Sequence, residues 1–397
     1  MAPRSSTAPA GSDVDYLDRV RDIAPIIDAA ADQAERDRRL PDDVLAALHD
    51  AGLFRLLLPR QFGGGEVDPM TFFQTIEAVA KHDASTAWCL CQANGCAMTA
   101  AFLEPEVADE IWGNDPNGVV AWGPGKAEVV PEDGGFRLNA ECSFASGMRH
   151  ASWLGAHSVV LGADGEPERR EDGGPVIRTM LFPADQATPI DIWDVIGLRA
   201  TASDGFRVGD LAIPHEHSVS RDDPAERRIE APLYQFHQTN LYATGFSGTA
   251  IGIARTMLDS FKELAMEKQP QRAKQVLRDN GMIQREVGEA EARLGSARAF
   301  ILSELDHIWR EVVHTGRLEI AQRMRIRLAT TYGIHEAKAV ADMAYDAAGA
   351  TSIFASHPME RRFRDIHTVT QQMQGQKSHL QTVGAYILGH EPDLSVT

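Results

Sequence analysis

Apolar residues recur every three or four positions in RVRDIAPIIDAAADQAERDRR and again in DDVLAALHDAGLFRLLL, the spacing that gives an α-helix one buried face. Pro41-Asp42-Asp43 predicts a helix start and Gly52 a stop. QFGGGEVDP interrupts the period and MTFFQTIEAVAKHDASTAWCLCQANGCAMTAAFL restores it, so an all-helical domain is expected over 14–117. From Gly118 the pattern changes to short alternating or β-branched runs, among them VVAWG, KAEVV, FRLNAECSFASG, SWLGAHSVVLG and VIRTMLFP. Turns such as EDGG separate them, which predicts an antiparallel β domain, a barrel or sandwich, over 118–228. Long helical periods return in YATGFSGTAIGIARTMLDSFKELA and in the segments that follow, and predict a helical bundle over 229–397. The fold class is therefore mainly α with a central β domain.

Composition narrows the function. The 397 residues can bury a sizeable core, and 43% hydrophobic with 24% charged residues is ordinary for a globular protein. A formal charge of -18 argues against nucleic acid, whose phosphates need clustered Lys and Arg. No apolar run approaches the roughly 20 residues that span a bilayer, and MAPRSSTAPAGSD lacks the apolar stretch of a signal peptide, so a cytoplasmic protein is expected. Cys89, Cys91, Cys96 and Cys142 have neither zinc spacing nor a histidine beside them, and read as small packed thiols rather than metal ligands or a disulfide set. GFSGTAIG, Gly245 to Gly252, is not a dinucleotide fingerprint, because no strand precedes it; close helix packing is the expected reason for its small residues.

Four stretches, in order, resemble the acyl-CoA dehydrogenase superfamily: LLLPRQFGGGEVDPMTFFQTIEAVAKHDASTAW, GLRATASDGFRVGDLAIP, RAKQVLRDNGMIQREVGEAEARL and PMERRFRD. The implied fold is a helical domain, a β domain and a four-helix bundle. TAW, Thr86 to Trp88, and FASGMRHASW, Phe144 to Trp153, resemble the branch of two-component flavin-dependent monooxygenases, the second as a strand beside the flavin. That resemblance implies reduced FMN or FAD and molecular oxygen as reactants, a C4a-hydroperoxide, a separate NAD(P)H-flavin reductase, a homotetramer and an aromatic or heteroaromatic substrate.

Reduced flavin wastes oxygen as peroxide unless water is kept out and N5 keeps its proton. Ser146 is the expected N5 contact, with Trp88 and Trp122 as aromatic walls and Gly123, Ala145, Gly147 and Gly349 as further flavin contacts. By resemblance, Arg272 and Gln284 reach the flavin of a neighbouring subunit. Asn94, Cys96 and His237 are the expected substrate contacts.

Dehydrogenases of one large subset place a carboxylate nine residues after the Arg of Arg-Asp, which is Met373 here, and the hydroxylases a histidine eight residues after it, which is Gln372. Glutamine can donate and accept hydrogen bonds but cannot titrate near neutrality. His150, His82, His237, His367 and His379 are the alternative titrating groups, with His150 foremost because it follows the Ser-Gly turn. Ser146, Gln372 and His150 are thus the catalytic candidates. A dehydrogenase with bound FAD and a non-catalytic relative remain as alternatives.

Overall fold

A computed structural model describes residues 15–221 and 223–392. The N-terminal segment discussed above lies outside the described residues. Among the described residues five helices come first: α1 (Tyr16–Asp37), α2 (Asp42–Asp50), α3 (Pro69–Ala80), α4 (Ala84–Ala97) and the single turn α5 (Pro105–Ala108). Their starts are written locally. Asp15, Asp68 and Asp83 each cap a helix, the last accepting the Thr86 N–H at 2.7 Å. Gly52, at φ +71°, ends the turn after α2 in the left-handed region that glycine enters without strain. α4 is buried on nearly every side and so occupies the centre of the helical layer.

Eight strands follow: β1 (Val120–Trp122), β2 (Gly125–Glu132), β3 (Gly135–Cys142), β4 (Trp153–Val160), β5 (Ile177–Pro183), β6 (Thr188–Ile190), β7 (Gly205–Pro214) and β8 (Ser218–Val219). They run β6-β7-β3-β2-β4-β5-β8, with β1 beside β4. The sheet departs from the expected all-antiparallel pattern at its centre, where β1 and β2 both pair parallel to β4. The FASGMRHASW stretch also departs from expectation: Phe144 at φ +55° and Gly147 at φ +83° make it a turn, and β4 begins only at Trp153.

Beyond the sheet lie α6 (Gln238–Glu267), α7 (Gly281–Thr315), α8 (Ile320–Ala348), α9 (Pro358–Val369) and α10 (Ser378–Ile387). The glycines of α6 are where α3 and α4 approach most closely. A methyl group at Gly245 would lie 2.3 Å from Cys91 Sγ, and one at Gly252 2.5 Å from the Glu77 carbonyl. Glu77 continues the junction by pairing at 2.8 Å with Arg298 of α7. Helices from both ends of the chain therefore share one apolar core, while the strands enclose a second. Among the described residues no helix is long and apolar enough to cross a membrane.

Candidate active site

The Arg-rich motif of α9 acts first as a brace. Arg361 and Arg364 each reach Glu35 of α1 at 2.6 Å, and Asp365 accepts the Leu198 N–H at 2.6 Å. That bond secures the loop between β6 and β7, in which Leu198 and Ala202 both adopt positive φ without being glycine. The held loop delivers Thr201 and Ser203 to Ser146.

The resulting hydrogen-bond chain has a direction. Thr201 Oγ1 donates to the Leu198 carbonyl at 2.9 Å, so it accepts from Ser203 at 2.7 Å. Ser203 in turn accepts from Ser146 at 2.6 Å, and Ser146 Oγ accepts the Trp88 indole N–H at 3.1 Å. Ser146 has thereby committed its proton and one lone pair. Its remaining lone pair makes it an acceptor.

Ser146 and Ser203 line a cavity of about 500 Å³ between α4, the sheet, the start of α6 and the segment after α9. Aromatic rings form much of its wall. Trp88 stacks on Phe246 at 3.9 Å, Phe144 meets Trp193 edge-on at 5.9 Å, and Trp122 meets His157 edge-on at 5.0 Å. Gln92 links two walls by donating to the Trp122 carbonyl at 3.3 Å and to Tyr242 Oη at 3.5 Å. Gln371, Gln372, Met373 and Gln374 close the C-terminal side. The Gln372 side-chain oxygen accepts the Gln374 N–H at 2.5 Å, which leaves its NH2 for other partners.

Of the expected residues, Trp88, Trp122, Gly123, Ser146, His237 and Gln372 line this cavity. The others are placed elsewhere. His150 packs against Phe54 at 5.6 Å, on the far side of the Gly147 turn, and burial pushes its pKa down to about 4. It stands as a neutral packed ring, not a cavity base. Asn94 spends its side chain on backbone groups of Leu53, Leu57 and Leu90. Cys96 lies behind Tyr242, with Sγ 3.5 Å from the phenol, and burial raises its thiol to about 12. Ala145 and Gly147 are buried and bond through their N–H groups to the carbonyls of Asp204 and Thr201.

Gly349 ends α8 at an exposed position. Arg272 and Gln284 are exposed before and within α7, and one chain does not bring them to the cavity. Three further histidines are tied up elsewhere: His82 to Asp28, His367 to Asp342, and His379 to the Met373 carbonyl. Sequence reasoning missed Gln92, His157, Trp193, Ser203, Arg221 and Tyr242. Only Gln92 and Ser203 carried a local signal, one a helical turn after Trp88 and the other within the GLRATASD loop.

The site's chemistry is compatible with a reduced flavin: its walls are flat and aromatic, and Ser146 offers a hydrogen-bond acceptor, which an N–H of a reduced isoalloxazine could use. The volume lies within the roughly 300–1,000 Å³ usual for small-molecule sites.

The acyl-CoA dehydrogenase N-terminal domain family matches residues 16–109, and the acyl-CoA dehydrogenase C-terminal domain family matches 244–376. The chain belongs to the acyl-CoA dehydrogenase superfamily, and the relatives it matches are named as flavin-dependent monooxygenases or their oxygenase components. It is 29% identical to indole-3-acetate monooxygenase of Pseudomonas putida, covering 98% of this chain and 97% of that one. It is 26% identical to the flavin-dependent monooxygenase oxygenase subunit HsaA of Rhodococcus jostii, covering 88% and 92%. The solved structure of XiaF from Streptomyces sp., in complex with FADH2 and glycerol, superposes with a TM-score of 0.88 over 96% of each chain at 22% identity.

Proposed function

We propose that this chain is the oxygenase component of a two-component monooxygenase that takes reduced FMN or FAD from a separate NAD(P)H-flavin reductase and oxygenates an aromatic or heteroaromatic small molecule. The observation that carries this reading is the cavity's polar inventory: an ordered serine acceptor, amides, histidines and one arginine, and no Asp or Glu among its described lining residues. A dehydrogenase of this fold needs a carboxylate there to take the substrate's α-proton. The relatives are named as monooxygenases or their oxygenase subunits, which supports the same conclusion.

Reduced flavin, when bound, supplies the electrons that activate oxygen. The chain's residues do the rest. Ser146 would accept from an N–H of the ring and hold that proton in place, and the aromatic walls would keep water from the reacting face. The Gln372 NH2 is available as a neutral donor to an oxygen atom and takes no proton. His157 and His237 are the only histidines among the described lining residues, so a substrate hydroxyl that must be deprotonated is left to them. The reading extends to a cytoplasmic homotetramer in which exposed Arg272 and Gln284 serve a neighbour's flavin.

The test mixes the protein and chemically reduced FMN or FAD, prepared without oxygen, into aerated buffer in a stopped-flow instrument. Bound flavin is expected to reoxidise more slowly than free flavin and to release little hydrogen peroxide in the first turnover. Reoxidation indistinguishable from that of free flavin would refute the proposal.

A further inference from the structure

The cavity also carries a charge that oxygen activation does not use. Arg221, just after β8, sets its guanidinium carbon 4.9 Å from the centre of the Trp122 ring. Its Nε donates to Thr179 Oγ1 at 3.0 Å, and a terminal nitrogen lies 3.4 Å from His157 Nε2. These contacts fix the side chain without neutralising it. Among the described residues no carboxylate lies within ion-pair distance of Arg221, although neighbouring arginines such as Arg178 and Arg227 each have one.

The surroundings favour an anion from other directions as well. Acidic residues outnumber basic ones 57 to 39 in the whole chain, yet none of the described residues facing this cavity is acidic. The 30-residue α6 begins here, with Gln238 and Thr239 on the wall, so the positive end of its dipole faces the same space. Gln238 is only 6% exposed. Its NH2 donates to Thr99 Oγ1 at 3.1 Å, and its buried Oε1, an acceptor, plays no part in holding an anion.

We infer that Arg221, braced by Trp122, Thr179 and His157, is the anion-recognising residue of the pocket, and that the substrate is an aromatic or heteroaromatic acid held by its carboxylate. An arginine stacked on an indole presents a rigid fork of donors matched to a carboxylate, with little side-chain freedom left to lose on binding. The inference rests on the monooxygenase reading for the aromatic ring; the carboxylate follows from the charge. A flavin phosphate is the other anion this cation would attract, and the experiment separates the two.

The probes are two acid and amide pairs of matched shape: indole-3-acetate with indole-3-acetamide, and 4-hydroxyphenylacetate with its amide. Each is titrated anaerobically into the protein holding reduced flavin and followed by tryptophan fluorescence, for the wild type, Arg221→Met and Arg221→Lys. The wild type is expected to prefer at least one acid over its amide by about tenfold or more, the worth of one charged hydrogen-bonded contact. Arg221→Met abolishes that preference, Arg221→Lys keeps part of it, and the affinity for reduced flavin stays the same in all three.

Equal binding of acid and amide by the wild type, or no binding of either acid, overturns the inference. So does Arg221→Met that weakens reduced-flavin binding and leaves the acid preference intact, since the anion is then the flavin phosphate. Binding is read without oxygen, so failure of the oxygenase chemistry would appear separately, as uncoupled reoxidation in air.

Discussion

Asp365 in α9 accepts the Leu198 backbone N–H at 2.6 Å, joining the C-terminal Arg-Asp motif to the loop that delivers Ser203. Burial, the largest influence on this carboxyl, raises its pKa from 3.8 to about 7. The folded chain therefore binds this proton more tightly than the unfolded chain does. The stabilisation is present at low pH and is lost as pH rises from about 4 to 7. Asp365→Asn keeps an oxygen for Leu198 and removes the titration. Its gain in stability over the wild type is expected to be about 2–3 kcal/mol larger at pH 8 than at pH 5. Urea melts at the two pH values check this, and a gap independent of pH would contradict it.

His150 has the opposite sign. Its pKa is depressed from 6.5 to about 4, so the unfolded chain takes up the proton first and stability is lost as pH falls from 6.5 to 4. His150→Leu is expected to gain about 2 kcal/mol relative to the wild type at pH 5, compared with its effect at pH 8. The pH profile of substrate oxygenation should stay where it was. A displaced activity profile would restore His150 to a catalytic role.

Trp88 and Ser146 should act as one unit. Ser146→Ala removes the acceptor, and Trp88→Phe removes the donor that orients it while keeping a ring against Phe246. Each is expected to weaken reduced-flavin binding about fivefold, the worth of one hydrogen bond, with a smaller effect on oxidised flavin. Anaerobic titrations of both redox forms decide the matter. Equal losses for the two forms would show that the chain does not sense the ring's N–H.

Gly95→Ala tests the wall from behind. Its methyl group would sit 2.2 Å from the Tyr242 ring, which would have to move into the cavity. A loss of about 1–3 kcal/mol is expected, with weaker binding of aromatic ligands. Tyr242→Leu added to Gly95→Ala should recover part of the stability, whereas strictly additive losses would place the strain elsewhere.

The thiols should be inert while the chain is folded. Burial raises Cys96 to about 12 and Cys142 to about 11, and pushes Cys89 and Cys91 up as well. Iodoacetamide at pH 8 is expected to label none of the four until denaturant is added, as read by intact-mass spectrometry. Rapid labelling of native protein would show that the thiols are not buried as described.

The order of helices, sheet and helices was legible because periodicity is a local signal, and the packing role of GFSGTAIG was legible for the same reason. Site residues were legible where they shared a face with a recognised one. Gln92 lies about 40° around α4 from Trp88 and faces the cavity, whereas Cys96 lies about 80° around and slips behind Tyr242. His150 misled because a left-handed glycine reverses the chain between it and Ser146, and no spacing rule carries through such a turn. Arg221 and His157 come together through Thr179, which both touch across three strands, so their meeting depends on sheet order rather than on nearby sequence.

The shared core of the first and last helices has a consequence for synthesis. α4 leaves the ribosome long before its partner α6, since the whole sheet lies between them in the chain. The strands have a largely separate apolar cluster and can collapse as soon as they emerge. The early helices must wait, so the sheet is the unit positioned to fold first and the cavity is among the last features to form.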